Sequence, residues 1–304
     1  MKKALITGAS GFLGHHIGEF FLNQGWETVA IDRGAPVLPK RRHCRFIQFA
    51  LPHAGLETVL SETRPDAIIH CAGKASVAES MQDPQADYLS QVGITDKVLE
   101  VSSRVTPQSR FVYLSSAAVY GNPEAMPVVE SSRLSPISPY GEHKRLAEAR
   151  CQDAQRCRNM PITIARIFSA YGPGLKRQVV YEACRQAHCN GNVRLQGNGK
   201  ETRDFIHAAD VAQAVYLLAT SDAAIGRPFN VATGVEISIA RVASLVCEKT
   251  AAGVPSFSEN KRAGDPERWV ADIKALKELG FAATLDFEAG LDNTLEWVRT
   301  ISCD

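Results

Sequence analysis

The chain opens with an apolar strand that runs into a glycine-spaced turn and then an amphipathic helix, and no other feature constrains the fold as much. Ala4-Leu5-Ile6 lead into Gly8-Ala9-Ser10-Gly11-Phe12-Leu13-Gly14. Leu13, Ile17, Phe20 and Phe21 then recur at i, i+4, i+7 and i+8, with Gly25 as a C-terminal stop. Gly8 lets the chain turn tightly out of the strand, and Gly11 lets backbone N–H groups approach a phosphate. Gly14 lets the helix pack close to the sheet, while the helix N-terminus supplies its positive dipole end. The spacing is G-x-x-G-x-x-G rather than G-x-G-x-x-G, and alone it reads equally well as a chance loop. Its place between a strand and an amphipathic helix predicts a dinucleotide pyrophosphate site at Gly8, Gly11, Phe12, Leu13 and Gly14.

Thr28 to Ile31 form a second strand that ends in Asp32, about 20 residues beyond the turn, where an acid accepts the adenosine ribose hydroxyls. That favours NAD over NADP, whose 2′-phosphate the carboxylate repels. Arg33 follows directly and accommodates such a phosphate, so NADP stays open. Four more strands are expected at Arg45–Phe49, Ala67–His70, Phe111–Leu114 and Ile162–Ile167, with helical stretches near 54–63, 84–103 and 140–158. Strands alternating with helices argue for an α/β fold with a parallel sheet covered on both faces. The Pro/Gly/Ser-rich stretches 121–139 and 172–174 read as loops near a site. Beyond about residue 171 the pattern is less regular, with helices near 178–190, 210–220, 238–249 and 288–300, and reads as a smaller substrate-binding lobe.

Composition excludes some functions. The chain has 304 residues and a formal net charge of +1, so no basic field suits nucleic acid or an anionic membrane. Met1-Lys2-Lys3 imitates the start of a secretion signal, but the apolar run behind it stops at Thr7-Gly8, and no stretch approaches membrane-spanning length. The eight cysteines (Cys44, Cys71, Cys151, Cys157, Cys184, Cys189, Cys247 and Cys303) show no metal-ligand spacing, so no metal site is expected. Several fall in apolar runs, and the expectation is buried free thiols in a reducing, cytoplasmic setting.

A second motif lies near mid-chain. Tyr140-Gly141-Glu142-His143-Lys144 places a phenol and an ammonium one helical turn apart on one face. Tyr140 is expected to act as general acid or base on a substrate hydroxyl. Lys144 is expected to lower the Tyr140 pKa and to hold the nicotinamide ribose. Ser116, ending the strand at Phe111–Leu114, can hydrogen-bond the same oxygen, at the sheet edge where active residues gather. Ser115, Ala72 and Gly73, also at strand ends, are assigned to the cofactor. Alone, Y-x-x-x-K reads as a solvated helix start with a snorkelling lysine.

Gly8–Gly14, Leu114-Ser115-Ser116-Ala117-Ala118-Val119-Tyr120-Gly121 and Tyr140–Lys144 together resemble the extended short-chain dehydrogenase/reductases, in their nucleotide-sugar epimerase/dehydratase branch. The resemblance continues through Arg166-Ile167-Phe168-Ser169-Ala170-Tyr171-Gly172-Pro173-Gly174, Gly197-Asn198-Gly199-Lys200-Glu201-Thr202-Arg203-Asp204-Phe205-Ile206-His207 and Arg262-Ala263-Gly264-Asp265-Pro266. It implies a Rossmann-type doubly wound sheet with an NAD(P)-binding domain over 1–170, rejoined by 204–232. It also implies a mainly nucleotide-sugar-binding lobe over 171–304 and a nucleoside-diphosphate sugar as substrate. Arg203 and Arg262 match the family's diphosphate-clamping arginines, whose forked guanidinium groups suit phosphate oxygens.

Relatives that dehydrate or decarboxylate the sugar place acids after the catalytic Ser or Thr, in a pattern like T-D-E-V-Y-G, and one branch has a cysteine there. Ala117 and Ala118 occupy those positions here and cannot exchange a proton. Ser116, Tyr140 and Lys144 remain, a set sufficient for redox chemistry at one carbinol, normally C4. The leading expectation is an NAD-dependent 4-epimerase. A 4-ketoreductase is the same-class alternative, and a non-catalytic dinucleotide sensor or RNA binder the different-class one. The chain departs from the family's pattern at Ser169, usually Asn, at Gln91-Val92-Gly93-Ile94-Thr95, usually N-V-x-G-T, and at Ala50-Leu51, usually Asp-Ile. The resemblance further implies a homodimer through the helices near 84–103 and 140–158. Leu89, Val92, Val98, Leu99, Val101, Leu146, Ala147, Ala149 and Ala154 are the apolar residues expected at that interface.

Overall fold

The computed structural model describes residues 1–38, 42–260, 264 and 266–303. The first half runs β1 (Lys3–Thr7), α1 (Phe12–Asn23), β2 (Glu27–Asp32), β3 (Cys44–Gln48), α2 (Gly55–Thr63), β4 (Ala67–His70), α3 (Val77–Gln82), α4 (Pro84–Tyr88), a π-helical turn (Leu89–Gly93), α5 (Ile94–Val105), β5 (Arg110–Ser116), α6 (Pro139–Arg158) and β6 (Ile162–Ile167). The second half runs β7 (Ser169–Tyr171), α7 (Gln178–Asn190), β8 (Arg194–Leu195), β9 (Thr202–His207), α8 (Ala208–Thr220), β10 (Pro228–Val231), β11 (Glu236–Ser238), α9 (Ile239–Thr250), β12 (Ser256–Phe257), α10 (Lys274–Glu278) and α11 (Phe287–Val298). The six expected strands all form. The single helix expected over 84–103 is instead α4, the π-turn and α5.

Seven strands make one parallel sheet in the order β10-β6-β5-β4-β1-β2-β3. Side chains alternate between faces along each strand, and both faces are covered. Ala4 and Ile6 pack with Ile17 and Phe21 of α1 and Val211, Val215 and Leu218 of α8. Leu5 points the other way, among Val59 and Leu60 of α2, Val98 and Leu99 of α5 and Ala147 of α6. The chain leaves β1 toward β2 and β3, then returns to the other side of β1 with β4. This reversal opens a crevice outside the carboxyl ends of β1 and β4, where sheets of this kind bind ligands. The elements β7, β9 and β11 form a separate three-stranded sheet, and α7, α9 and α11 share an apolar cluster beside it.

Two expectations need correction. Cys189 at the end of α7 and Cys303 are disulfide-bonded across 114 residues of sequence, so the eight cysteines are not all free thiols. Of the remainder, Cys151, Cys184 and Cys247 are buried, whereas Cys157 is exposed. The second correction concerns the expected dimer contacts. Val92, Val98, Leu99, Ala147 and Ala154 are buried within this one chain, so their apolar surface is already used. Leu89 remains 56% exposed, and Val101, Leu146 and Ala149 are partly exposed.

A buried ion pair ties α6 to the sheet. Arg166 of β6 and Glu148 of α6 meet at 2.8 Å, with side chains only 3% and 1% exposed. Arg166 also donates to the Tyr120 hydroxyl at 2.9 Å and to the Glu130 carbonyl at 2.8 Å. Removing one partner of such a pair leaves an uncompensated buried charge. Glu148→Ala is therefore expected to lower unfolding stability by about 3–5 kcal/mol, measured by urea denaturation. A loss below about 1 kcal/mol would show that the pair behaves as a surface contact.

Candidate active site

The glycine turn is shaped by three backbone segments in close approach. Gly8 adopts φ +69°, and a Cβ there would lie 2.7 Å from the Ala72 backbone nitrogen. A Cβ at Gly14 would overlap the Gly8 carbonyl, so α1 can pack this closely only with glycine at that position. Gly11 caps α1 in extended geometry and no side chain caps the helix. The first-turn N–H groups thus face the crevice as an anion site. Gly8, Gly11, Phe12, Leu13 and Gly14 all line a cavity of about 1140 Å³ at the sheet's carboxyl edge.

Asp32, at the end of β2, holds the turn from the side. Its carboxylate accepts the Ser10 N–H at 3.0 Å and the Gly34 N–H at 2.8 Å. Arg33 is exposed and lines the cavity at this end. Across the crevice, the Ala72 N–H donates to Thr7 Oγ1 at 3.3 Å, and Gly73 lines the cavity at φ +140°. Gln91 stands where the family's pattern has Asn, and its amide donates to the Lys74 carbonyl, closing the 73–74 segment onto the helix pair. His70 sits between Thr7 at 2.7 Å and Thr95 at 3.1 Å. Burial, aided by the Lys144 charge, lowers its pKa to about 3, so it is a neutral structural group. Burial likewise raises the Cys71 thiol to about 12, so this cavity-lining cysteine is no nucleophile.

Ser116, Tyr140 and Lys144 meet at the middle of the cavity. The α6 helix starts here because Ser138 accepts the Gly141 N–H at 3.2 Å and Pro139 occupies the first turn. That start sets Tyr140 beside the end of β5, where its phenol feels the Ser116 hydroxyl. Lys144 is buried, donates to the Leu114 carbonyl at 2.8 Å, and sits 5.9 Å from the Tyr140 ring centre. Burial lowers its pKa to about 8.

The structure changes two expectations at this point. Burial raises the Tyr140 pKa, and what opposes it is the Ser116 hydrogen bond and then the charge of Arg177, not Lys144. Ser115 lines the cavity, but its hydroxyl donates to Glu148 and so serves the buried ion pair. Ser115 shares strand parity with Phe111 and Tyr113, which pack on the α6 side. That alternation was the available signal.

Ser169 begins β7 and lines the cavity, as does Arg203 of β9. The Arg203 guanidinium lies 5.6 Å from the Trp269 ring centre and donates to the Thr202 carbonyl at 2.8 Å. Arg262 lies outside the described residues. Ala117 is fully buried, and Ala118 faces the cavity with a methyl group. Arg177 was missed in sequence. It lines the cavity at the start of α7, and the only signal was a basic pair just after the 172–174 loop. Among the described residues no metal-binding cluster occurs and no helix is long and apolar enough to cross a membrane.

A doubly wound sheet with an anion-binding glycine turn and a Ser–Tyr–Lys group at its switch point defines a dinucleotide-dependent class of carbinol chemistry. Residues 4–232 match the NAD dependent epimerase/dehydratase family, and the chain belongs to this family, within the extended short-chain dehydrogenases/reductases. It is 28% identical over 315 residues to a UDP-glucose 4-epimerase of Mycolicibacterium smegmatis, covering 99% of each chain. It is also 28% identical to UDP-glucuronic acid decarboxylase 1 of Xenopus tropicalis, over 98% of this chain and 72% of that one. Among solved structures it resembles MoeE5 in complex with UDP-glucose and NAD, with a TM-score of 0.89, 28% identity and 98% of both chains covered.

Asp32→Ala removes the carboxylate that fixes Ser10 and Gly34. It is expected to weaken dinucleotide binding by about 1–3 kcal/mol and to narrow any preference for NAD over NADP, as measured by calorimetry. If the parent protein already binds NADP more tightly, Arg33 rather than Asp32 decides the cofactor.

Proposed function

We propose that this protein inverts C4 of a nucleoside-diphosphate sugar, using NAD and Tyr140 as the acid/base. The observation that supports the reading best is that Ser116, Tyr140 and Lys144 line one cavity whose wall carries Ala118 where relatives eliminating water or carbon dioxide hold acids. Tyr140 takes the C4 hydroxyl proton as the carbinol becomes a ketone and returns it when the carbinol re-forms, while Ser116 holds the same oxygen. NAD would supply the hydride acceptor and donor that inversion at C4 needs. The uncapped start of α1 and the close approach at Gly8 and Gly14 fit its pyrophosphate, and Asp32 fits its ribose. Lys144 holds the nicotinamide ribose. Arg203 and Arg262 bind the diphosphate, and Ser169 contacts the substrate. The second lobe, mainly residues 171–304, contributes most of the sugar-nucleotide contacts. Uridine is the nucleotide we assign, since the relatives named above act on or bind UDP-sugars. A homodimer through the outward faces of α5 and α6 belongs to the same reading.

A 4-ketoreductase would use the same three residues, so product analysis separates the readings. Mass spectrometry of reactions with UDP-hexoses should return a sugar nucleotide of unchanged mass. Loss of water or carbon dioxide would contradict the proposal, and a gain of two hydrogens would establish the reductase.

Tyr140→Phe should leave cofactor binding nearly intact and lower turnover by about 10²–10⁴. Turnover within about threefold of the parent would remove Tyr140 from the mechanism. The Lys144 ammonium, with its pKa lowered to about 8, is present below that pH and lost above it. Turnover should therefore fall as pH rises through about 8, and Lys144→Met should abolish that limb of the profile together with much of the activity. An unchanged alkaline limb in Lys144→Met would assign it to another group.

A further inference from the structure

A second buried acid grips α6, at the turn that carries Tyr140 and Lys144. His143 lies between those two residues, outside the set that lines the cavity. Its Nδ1 is 2.6 Å from Asp87 Oδ2 of α4, and the two side chains are only 12% and 2% exposed. A carboxylate only accepts, so the imidazole donates through Nδ1. The Tyr88 ring meets the imidazole edge-on at 5.5 Å. Among the described residues, Asp87 Oδ1 is buried and has no hydrogen-bond partner. His143 is therefore the side chain that satisfies this acid, and burying a carboxylate without such a partner is costly.

The same stretch of chain holds the wall of the cavity formed by Gly73 and Lys74. Ser90 Oγ donates to the Asp87 carbonyl at 3.1 Å and accepts the Lys74 N–H at 3.2 Å. Gln91 of the π-turn donates to the Lys74 carbonyl. Just before α4, Ser80 of α3 accepts the Tyr140 N–H at 3.1 Å. A continuous run of hydrogen bonds thus leads from the 73–74 wall through Ser90 and Asp87 to His143. Apolar packing is non-directional, whereas a hydrogen bond fixes an angle as well as a distance. A bond to His143 therefore resists rotation of α6 about its axis. Tyr140, three residues back on the same face, turns with it. The Glu148–Arg166 pair fixes the helix one turn farther on and leaves this first turn to be held from α4.

We propose that Asp87 and His143 are positioning residues, a buried pair that sets the rotation of the Tyr140–Lys144 turn against the Gly73–Lys74 wall. The inference rests on Tyr140 as the acid/base and extends that reading to a pair outside the cavity.

The test measures kcat and KM with UDP-glucose, NAD affinity by calorimetry, and amide hydrogen exchange of the NAD-loaded protein by NMR. Asp87→Ala should lower kcat about 10–100-fold, with KM and NAD affinity within about threefold of the parent. Exchange of the Tyr140–Lys144 amides should quicken about tenfold or more, while that of β5 stays unchanged. Asp87→Asn, whose amide oxygen accepts the same Nδ1–H bond, should recover most of both. The double variant Asp87→Leu/His143→Leu replaces the pair with apolar side chains and should keep its urea midpoint, yet remain about 10–100-fold down in kcat. Parent-like kcat in Asp87→Ala or in the double variant overturns the proposal. So does a loss of NAD affinity as large as the loss in kcat, or no recovery in Asp87→Asn, since the pair then serves the fold at large. Exchange needs no substrate and keeps the two readings apart. A loosened Tyr140–Lys144 turn in Asp87→Ala, with no UDP-glucose turnover by the parent, leaves the pair standing and removes the epimerase. Epimerisation by the parent, with exchange and kcat unchanged in the variants, does the reverse.

Discussion

The buried Glu148–Arg166 pair is the contact on which the site's geometry depends. Arg166 is anchored in β6 between β5 and β10, and Glu148 lies on α6 one helical turn beyond Lys144. Fixing that point of α6 against the sheet fixes the height of Tyr140 and Lys144 relative to the end of β5. The Lys144 bond to the Leu114 carbonyl and the Ser115 bond to Glu148 lock the same register from the strand side. Tyr120 extends the network to Asn230 of β10 at 2.6 Å, so the strand that returns late in the chain is coupled to the same centre. Burying two charges is costly unless their geometry and hydrogen bonds are complete. Here three further groups, the Tyr120 and Ser115 hydroxyls and the Glu130 carbonyl, hydrogen-bond to the guanidinium or its partner.

That rigidity supports an electrostatic arrangement that the motif spacing alone does not disclose. Lys144 is held in a low-dielectric site that favours its neutral form, and Tyr140 is held where burial favours the phenol. Ser116 and Arg177 lean the phenol back toward ionisation. The state of the Tyr140 phenol is thereby set by its surroundings rather than by the Tyr–Lys spacing alone.

The sheet was legible in the sequence because each of its first six strands is a short apolar run bounded by turn residues, and the glycine turn ties the first of them to a helix. The candidate site was legible where motif residues lie on such elements: Gly8 to Gly14, Asp32, Ser116, Tyr140 and Lys144. What was not legible has physical reasons. The strands β7, β8, β11 and β12 have only two or three residues each, too few to show a period. The π-turn at Leu89–Gly93 keeps helical hydrophobicity while changing the hydrogen-bond step. Cys189 and Cys303 pair through the packing of the chain's end on α7, which spacing does not encode. Val92, Val98, Leu99, Ala147 and Ala154, expected at a dimer interface, are buried in this chain's own core, because composition does not say which face of a helix is already covered. Arg177 carried no pattern, and its significance is its position in the cavity.

The central claim is that C4 of the sugar is oxidised and reduced again within one site, with its own hydrogen. The most direct measurement follows a UDP-sugar carrying deuterium at C4, incubated with the NAD-loaded protein in ordinary water and examined by NMR. The account predicts inversion at C4 with the deuterium still attached to that carbon. Inversion with the deuterium replaced by solvent hydrogen would show that the C4 hydrogen leaves as a proton, and would contradict it.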